Sequence, residues 1–313
     1  MKVLVTGGTG YLGRKLVEAL AAAGHTPVVF ARHATTSGLP GTLVTGDIRD
    51  EAGLGAAMSG CEAVLHAAAL VAIWRADPRE FDEVNVEAFR GMLRAAARAG
   101  VSRIVYVSSF LALPPAGRST PLSSNDYQRT KVAARGEALR AIERGVPLIC
   151  TYPGVVYGPG VSTEGNLVGR LIADHLAGRL PGLFGSDRRW SYAYVDDVAR
   201  GHVLALEQGR IGGHYRFGGE NVPQRRVFEL VRELTGRPLP RDIPLWLGRV
   251  LGTLDERRAA WFGSPPRLTR GTVDIFEQDW SLDSSLAIEE LGYTITPLGV
   301  GVGVTLAGLS PTA

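Results

Sequence analysis

Tyr127 and Lys131 stand four residues apart in a stretch of helical character, so both side chains leave one face of a helix. A phenol beside an ammonium forms an acid–base pair. The positive charge stabilises the phenolate and draws the tyrosine down from about 10 toward working pH. The chain has 9 tyrosines but only three lysines, Lys2, Lys15 and Lys131, and otherwise takes its positive charge from arginine. Chance would place such a pair about 0.1 times in this chain. A compact ammonium also fits between a phenol and a ribose, where a guanidinium does not easily substitute. Ser109 ends the strand ahead of this helix, and its hydroxyl could hold a substrate carbonyl beside Tyr127 as charge builds on that oxygen. Ser108 competes for that role, because alternation along a strand aims only one of the pair into the site. A serine hydrolase is disfavoured: there is no Gly-x-Ser-x-Gly, and none of the 6 histidines stands in a triad context. His66 has no second ligand at metal spacing, so no metal is expected.

These groups need a scaffold, and the opening stretch supplies its pattern. Lys2 to Val5 reads as a buried strand that runs through Gly7, Gly8, Gly10 and Gly13 into a helix over 11–23, stopped by Gly24 and Pro27. Strand, glycine turn and helix in that order make a dinucleotide site. Gly7 and Gly8 permit the turn, Gly10 lets a pyrophosphate approach, and Gly13 lets the helix press on the sheet. The cofactor is expected along Gly7, Thr9, Gly10, Tyr11 and Leu12. About 20 residues further on, where an acid would grip a ribose 2′-hydroxyl, stand Ala31, Arg32 and His33. Arg32 would pair with a 2′-phosphate, so NADP(H) is favoured over NAD; an exposed loop arginine is the competing reading. Asp47, followed by Ile48, could accept from the adenine amino group or be a turn residue. Ala67, Ala68 and Ala69 offer no bulk to obstruct a cofactor, and equally suit a close-packed strand end.

Further strands are expected over 27–31, 43–45, 63–66, 104–108 and 146–151, with helices over 52–58, 78–99 and 125–144 between them. Strands this apolar, alternating with helices, imply a parallel sheet covered on both faces, with ligands bound beyond the strands' carboxyl ends. After Pro159 helical segments near 165–178, 197–207, 223–235 and 243–261 enclose short strand-like pieces at 191–195 and 214–217. The division expected is a dinucleotide-binding domain over 1–160, to which the chain returns near 191–210, and a substrate-binding region mainly over 161–313.

Composition bounds the partners. An apolar fraction of 45%, a charged fraction of 21% and a net charge of +3 with no basic block describe an ordinary globule with no nucleic-acid partner. Cys61 and Cys150 are too few for a disulfide framework, which fits a reducing, cytoplasmic setting. The first strand begins at once, leaving no room for a signal peptide, and the longest apolar run, 63–74, is too short to span a bilayer, so no membrane partner is expected.

The chain resembles the extended short-chain dehydrogenase/reductase family. The resemblance is carried by Thr6-Gly7-x-x-Gly10-x-x-Gly13, Gly46-Asp47-x-x-Asp50, His66-Ala67-Ala68-Ala69, Asn85-Val86, Val107-Ser108-Ser109 and Tyr127-x-x-x-Lys131. It continues in Pro153-Gly154-Val155-Val156-Tyr157-Gly158-Pro159, Val195-Asp196-Asp197-Val198-Ala199 and Trp280-x-x-Asp283. It implies an α/β fold, a Rossmann doubly wound parallel sheet with a smaller, mostly helical C-terminal region. Tyr127 would be the proton donor or acceptor, Lys131 would hold the nicotinamide ribose, Ser109 would orient the substrate oxygen, and Asn85 would support the site. Pro153, Gly154 and Val156 would line the carboxamide pocket, and a homodimer through the 78–99 and 125–144 helices is suggested. Within the family, Arg32, Gly209-Arg-Ile-Gly-Gly-x-Tyr215 and Gly218-Gly-Glu-Asn221 look most like dihydroflavonol-reductase-like proteins and related bacterial sugar epimerases. Tyr152, Tyr194 and Trp190 depart from the nucleotide-sugar members, which place Arg, His and often Arg there. Val71, Ile73, Trp74, Phe110, Trp190 and Tyr192 would line an apolar substrate pocket, or simply be core; Arg188 and Arg189 keep a nucleotide sugar in play. The expected activity is NADP(H)-dependent reduction of a ketone or aldehyde on a moderately apolar small molecule. The alternatives are a nucleotide-sugar epimerase or dehydratase, and an NADP-binding redox sensor without turnover.

Overall fold

A computed structural model describes residues 1–160 and 163–309. The chain opens with β1 (Lys2–Thr6), α1 (Tyr11–Ala22), β2 (Thr26–Ala31), β3 (Thr42–Thr45), α2 (Glu51–Ala57) and β4 (Ala63–His66). A helical stretch follows as α3 (Arg79–Asp82), a π-helical turn (Glu83–Glu87) and α4 (Ala88–Arg98). Then come β5 (Arg103–Val107), a 3₁₀ turn (Phe110–Ala112), α5 (Asp126–Glu143), β6 (Leu148–Pro153), β7 (Val155–Tyr157) and α6 (Leu167–Leu176). The remainder holds β8 (Leu183–Phe184), β9 (Arg189–Tyr194), α7 (Val195–Gln208), β10 (His214–Phe217), β11 (Glu220–Pro223) and α8 (Gln224–Thr235). It closes with β12 (Asp242–Ile243), α9 (Leu245–Phe262), α10 (Arg270–Phe276), α11 (Ser285–Leu291) and α12 (Leu298–Leu309).

Strand β1 shows why these runs are apolar throughout. Val3 and Val5 point into a core shared with Leu16, Val17 and Leu20 of α1 and Val198 of α7. Leu4 points the other way, toward Leu54 of α2, Phe89 of α4 and Ala134 of α5. A strand buried on both faces has no position left for a polar side chain, and each such Val or Leu contributes about 1.5–3 kcal/mol by leaving water. The result is a seven-stranded sheet in the order β10-β6-β5-β4-β1-β2-β3, parallel throughout. The doubly wound architecture is therefore as expected.

Two features differ from the reading by pattern. His214–Phe217 is hydrogen-bonded parallel to β6, His214 opposite Cys150 and Phe217 opposite Pro153, and so forms the sheet's seventh strand rather than part of the closing region. The helix expected over 78–99 is interrupted by the π-helical turn at Glu83–Glu87, which inserts a residue where Asn85 faces inward. Smaller sheets lie beside the main one: β9 pairs antiparallel with β11 and parallel with β7, while β8 pairs with β12. A third apolar cluster, including Trp190, Tyr192, Phe276 and Trp280, fills the C-terminal region.

Candidate active site

Parallel strands end together, and β1, β4, β5 and β6 deliver Gly7, Ala67, Ser108 and Gly154 to one edge of the sheet. Gly7 is left-handed at φ 71, and a Cβ there would lie 2.7 Å from the Ala68 backbone. At Gly13 a Cβ would sit 2.1 Å from the Gly7 carbonyl, so neither position admits a side chain. Gly10 differs: a Cβ would meet only the Gly7 oxygen, at 3.3 Å, and the residue is exposed. It caps α1, whose first turn carries no acid, so the helix amides beside Tyr11 and Leu12 are open to an anion. Thr9 is half-buried beside them. Tyr11 is buried and its hydroxyl donates to the Gly158 carbonyl at 3.0 Å, tying the turn to the strand end after β7.

Thr6 and His66, which no spacing singled out, hold this edge in register. Their Oγ1 and Nδ1 atoms are 2.9 Å apart, and the Thr6 hydroxyl accepts from the Ala68 amide at 3.2 Å. Burial pushes His66 down to about 3, so it is a neutral structural histidine and not a charged group. Ala67, Ala68 and Ala69 are half-buried around Gly7. Pro153 and Gly154 are buried; the Gly154 amide donates to Phe217 at 2.9 Å, and Val156 is half-buried in β7.

At the end of β2 both Arg32 and His33 are exposed, and Arg32 forms no ion pair among the described residues. Arg32 lies near enough to Asp47 to favour its ionised form, although Arg49 is the larger cause. Arg49 grips both Asp47 oxygens, at 3.0 and 2.8 Å, and holds the carboxyl down at about 2. The Asp47 charge is therefore already paired, while Ile48 packs at the rim of the second core.

Ser109, Tyr127 and Lys131 come from two elements that meet here. Ser109 caps the 3₁₀ turn, its hydroxyl accepting from the Leu111 amide at 3.2 Å. It also lies close enough to the Tyr127 phenol to favour ionisation. The Ser108 hydroxyl is buried, without a good hydrogen bond among the described residues, and lies beside the Tyr106 phenol. Asn125 caps α5 by accepting from Gln128 at 2.8 Å, which sets the first turn that bears Tyr127. One turn on, Lys131 is 3% exposed; its Nζ donates to the Val107 carbonyl at 3.4 Å and lies 5.9 Å from the Tyr127 ring centroid. That single long contact leaves most of its donor capacity unused.

The expected fall in the tyrosine's pKa is not what the environment gives. Burial pushes Tyr127 up to about 12, and the Ser109 contact only partly offsets it. Burial pushes Lys131 down to about 8. The ammonium lies 5.9 Å from the ring centroid, and desolvation is the larger influence on the phenol there. At neutral pH the pair is a protonated phenol beside a protonated amine.

Asn85 links the two halves of the site. Its Oδ1 accepts from the Leu70 amide at 2.8 Å, and its Nδ2 donates to the Leu70 carbonyl at 3.2 Å and to Thr130 Oγ1 at 3.0 Å. The alanine strand end is thereby braced to the turn of α5 between Tyr127 and Lys131. Of the expected pocket residues, Val71, Ile73, Trp74 and Phe110 are half-buried. Trp190 is 2% exposed, packs 4.8 Å from the Phe276 ring and donates to the Gln278 carbonyl. Tyr192 is 4% exposed. Packing therefore places Trp190 and Tyr192 in the third core, not on an open wall: Trp190 lies against Phe276 and the Trp280 backbone, and Tyr192 against Tyr157. Arg189 donates to the Asn221 carbonyl, and Arg188 lies 4.0 Å from Asp279.

Glycine turn, parallel sheet and strand-end site together define a dinucleotide-binding α/β protein. The NAD dependent epimerase/dehydratase family model matches residues 3–218, and the chain belongs to that family, among the extended short-chain dehydrogenase/reductases. The sterol demethylase protein B of Methylococcus capsulatus is 33% identical, covering 95% of this chain and 94% of its own. A putative dihydroflavonol 4-reductase of Synechocystis is 30% identical, covering 92% and 88%. Among solved structures, gox2253 superposes with a TM-score of 0.82 at 31% identity, over 98% of this chain and 97% of its own.

Proposed function

We propose that this protein reduces a ketone or aldehyde on a moderately apolar small molecule, with NADP(H) as cofactor and Tyr127 as proton donor. The observation that carries the reading is the meeting of Ser109, Tyr127 and Lys131 beside the glycine turn, with Lys131 buried and nearly unpartnered. The nicotinamide, when bound, supplies the hydride. Open amides at the start of α1 suit its pyrophosphate, Arg32 suits a 2′-phosphate, and the spare donors of Lys131 suit ribose hydroxyls.

A phenol held near 12 stays protonated at neutral pH, as a donor must, and gives its proton as negative charge grows on the carbonyl oxygen. Ser109 donates to that same oxygen, and the Lys131 ammonium stabilises the phenolate left behind. Half-buried Val71, Ile73, Trp74 and Phe110 favour an apolar ring system, as do relatives named for a sterol and a dihydroflavonol. The epimerase reading is weaker, because Arg189, one of the two arginines a sugar diphosphate would use, is engaged by the Asn221 carbonyl.

The test is a panel of carbonyl compounds with NADPH, followed by loss of nicotinamide absorbance, repeated with Tyr127→Phe. The expected result is turnover on apolar ketones or aldehydes that falls about 10²–10⁴-fold in the variant, with NADPH affinity kept. Undiminished turnover in Tyr127→Phe would refute the assignment. Interconversion of a nucleotide sugar without net oxidation would replace it with the epimerase reading.

A further inference from the structure

Helix α9 turns its largest apolar side chains outward. Trp246, Val250, Leu254 and Trp261 recur at spacings of four, four and seven, so they form one stripe. That stripe faces solvent: Trp246 is 65% exposed, Trp261 80% and the adjoining Phe262 76%. The opposite face is made of Gly248, Gly252 and Ala259, all buried. A Cβ on Gly248 would lie 2.6 Å from the Phe184 ring, and one on Gly252 would lie 2.9 Å from the Arg270 amide. Only a face of glycine and alanine fits against the body, so the helix cannot roll to hide its tryptophans. Large rings outward and glycines inward reverse the pattern of a helix that ends at water.

The charge around it is equally uneven. Residues 237–270 carry seven arginines against three acids, whereas the entire chain carries only +3, so the rest is net negative. Arg249 and Arg258 pair with acids, but the side chains of Arg241, Arg257, Arg267 and Arg270 form no ion pair or hydrogen bond among the described residues, and all four are exposed. Arg257 sits within the apolar stripe, between Leu254 and Trp261.

We infer that α9 docks this protein on an anionic lipid surface, lying in the plane of the headgroups with its tryptophan stripe in the acyl boundary. Exposed tryptophans with flanking arginines are what such an interface selects. A second copy of the chain fits the charge poorly, since a two-fold contact through the stripe would set Arg257 and its basic surroundings against themselves. Spanning is excluded by composition: no helix among the described residues is long and apolar enough to cross a membrane. A short apolar run and a first strand that begins at once argue against a spanning or secreted segment; a helix lying flat in the headgroups needs neither. The docking helix also adjoins the site. Helix α10 packs on α9, and a Cβ on its Gly271 would lie 2.0 Å from the carbonyl of Ser124, next to the Asn125 cap of the Tyr127 helix. An apolar substrate dissolved in lipid would thus be held near Tyr127; this consequence rests on the reductase reading, while the docking itself does not.

Flotation of the full chain with vesicles of phosphatidylcholine containing phosphatidylglycerol, against phosphatidylcholine alone, tests the inference. The wild type should float with the anionic vesicles, at least tenfold more than with the neutral ones, and be released by high salt. Its tryptophan emission should shift to the blue on binding. Trp246→Ser/Trp261→Ser should abolish both signals with an unchanged melting temperature. Arg241→Ala/Arg257→Ala should weaken partition roughly 25-fold, about fivefold for each charge near the surface. This second variant decides the matter should the first misfold. Wild type that stays free of anionic vesicles, or binds neutral ones equally, would overturn the inference. So would a concentration-dependent dimer that the tryptophan substitutions dissolve, which would assign the stripe to a second copy.

Discussion

Replacing Lys131 with methionine should stabilise the cofactor-free protein at pH 7 while destroying its activity. The ammonium is buried with one hydrogen bond, to the Val107 carbonyl at 3.4 Å, and lies over the Tyr106 and Tyr127 rings at 5.6 and 5.9 Å; no acid among the described residues pairs with it. Its proton is held to an ordinary 10.5 in the unfolded chain but only to about 8 in the folded protein. At 1.36 kcal/mol per pKa unit, the folded state carries a penalty of about 3 kcal/mol wherever the lysine is charged in both states. Methionine keeps most of the volume and removes the charge; lost packing and the lost Val107 bond offset about 1 kcal/mol, leaving a gain of about 2 kcal/mol. The sign with pH follows from proton counting. Between pH 8 and 10.5 the unfolded wild type binds more protons than the folded one, so wild-type stability rises with pH; the advantage of the variant shrinks and then reverses, leaving it about 1 kcal/mol less stable once the charge penalty is gone. Tyr127, pushed up to about 12, acts in the opposite sense above pH 10, but it is present in both proteins and cancels in their difference. Urea unfolding of both proteins at pH 7, 8, 9 and 10 measures that difference. A variant less stable than wild type at pH 7, or a difference that does not move with pH, would show that Lys131 is better satisfied than its single contact implies. Saturating NADPH should narrow or reverse the gap, since a ligand that also pairs the ammonium binds the wild type more tightly and stabilises it more than the variant.

Arg32→Ala should raise the dissociation constant for NADPH at least tenfold and leave that for NADH within about twofold, read by nicotinamide fluorescence; equal effects would sink the phosphate assignment. Asn85→Ala removes three hydrogen bonds from a site 4% exposed and should cost about 2–4 kcal/mol in chemical denaturation. If Asn85 only supports the fold, activity per folded molecule should survive. If it positions Tyr127 through Thr130, kcat should fall while KM for cofactor stays, and that split tests its positioning role.

The main sheet was legible because burial on both faces leaves an unbroken apolar run, as in Lys2–Thr6, and because glycine turns announce strand ends. Tyr127 and Lys131 were legible because helical spacing is a local property. What could not be read depended on distant partners. His214–Phe217 looks like any short strand, and only its pairing with Cys150–Pro153 makes it part of the main sheet. Thr6, His66 and Thr130 have ordinary spacings, and their roles come from contacts across 45 to 60 residues. Trp190 suggested a pocket by type, but its neighbours Phe276 and Trp280 put it in the core. The direction of the Tyr127 shift likewise turned on burial, a quantity set by the whole fold, rather than on the lysine four places away. The helix over 243–261 was anticipated, but its inverted faces became evident only against Phe184 and Thr269.

That the final strand of the sheet arrives so late has a consequence for how the molecule is made. While residues 154–213 are still being synthesised, the outer side of β6 offers unpaired amides and carbonyls between Cys150 and Pro153. Helix α7, which covers α1 and the first core, is made only just before the missing strand. The nascent nucleotide-binding half therefore leaves the ribosome with a bare face and a raw edge, and it depends on its own C-terminal neighbour, or on a chaperone, to shield both.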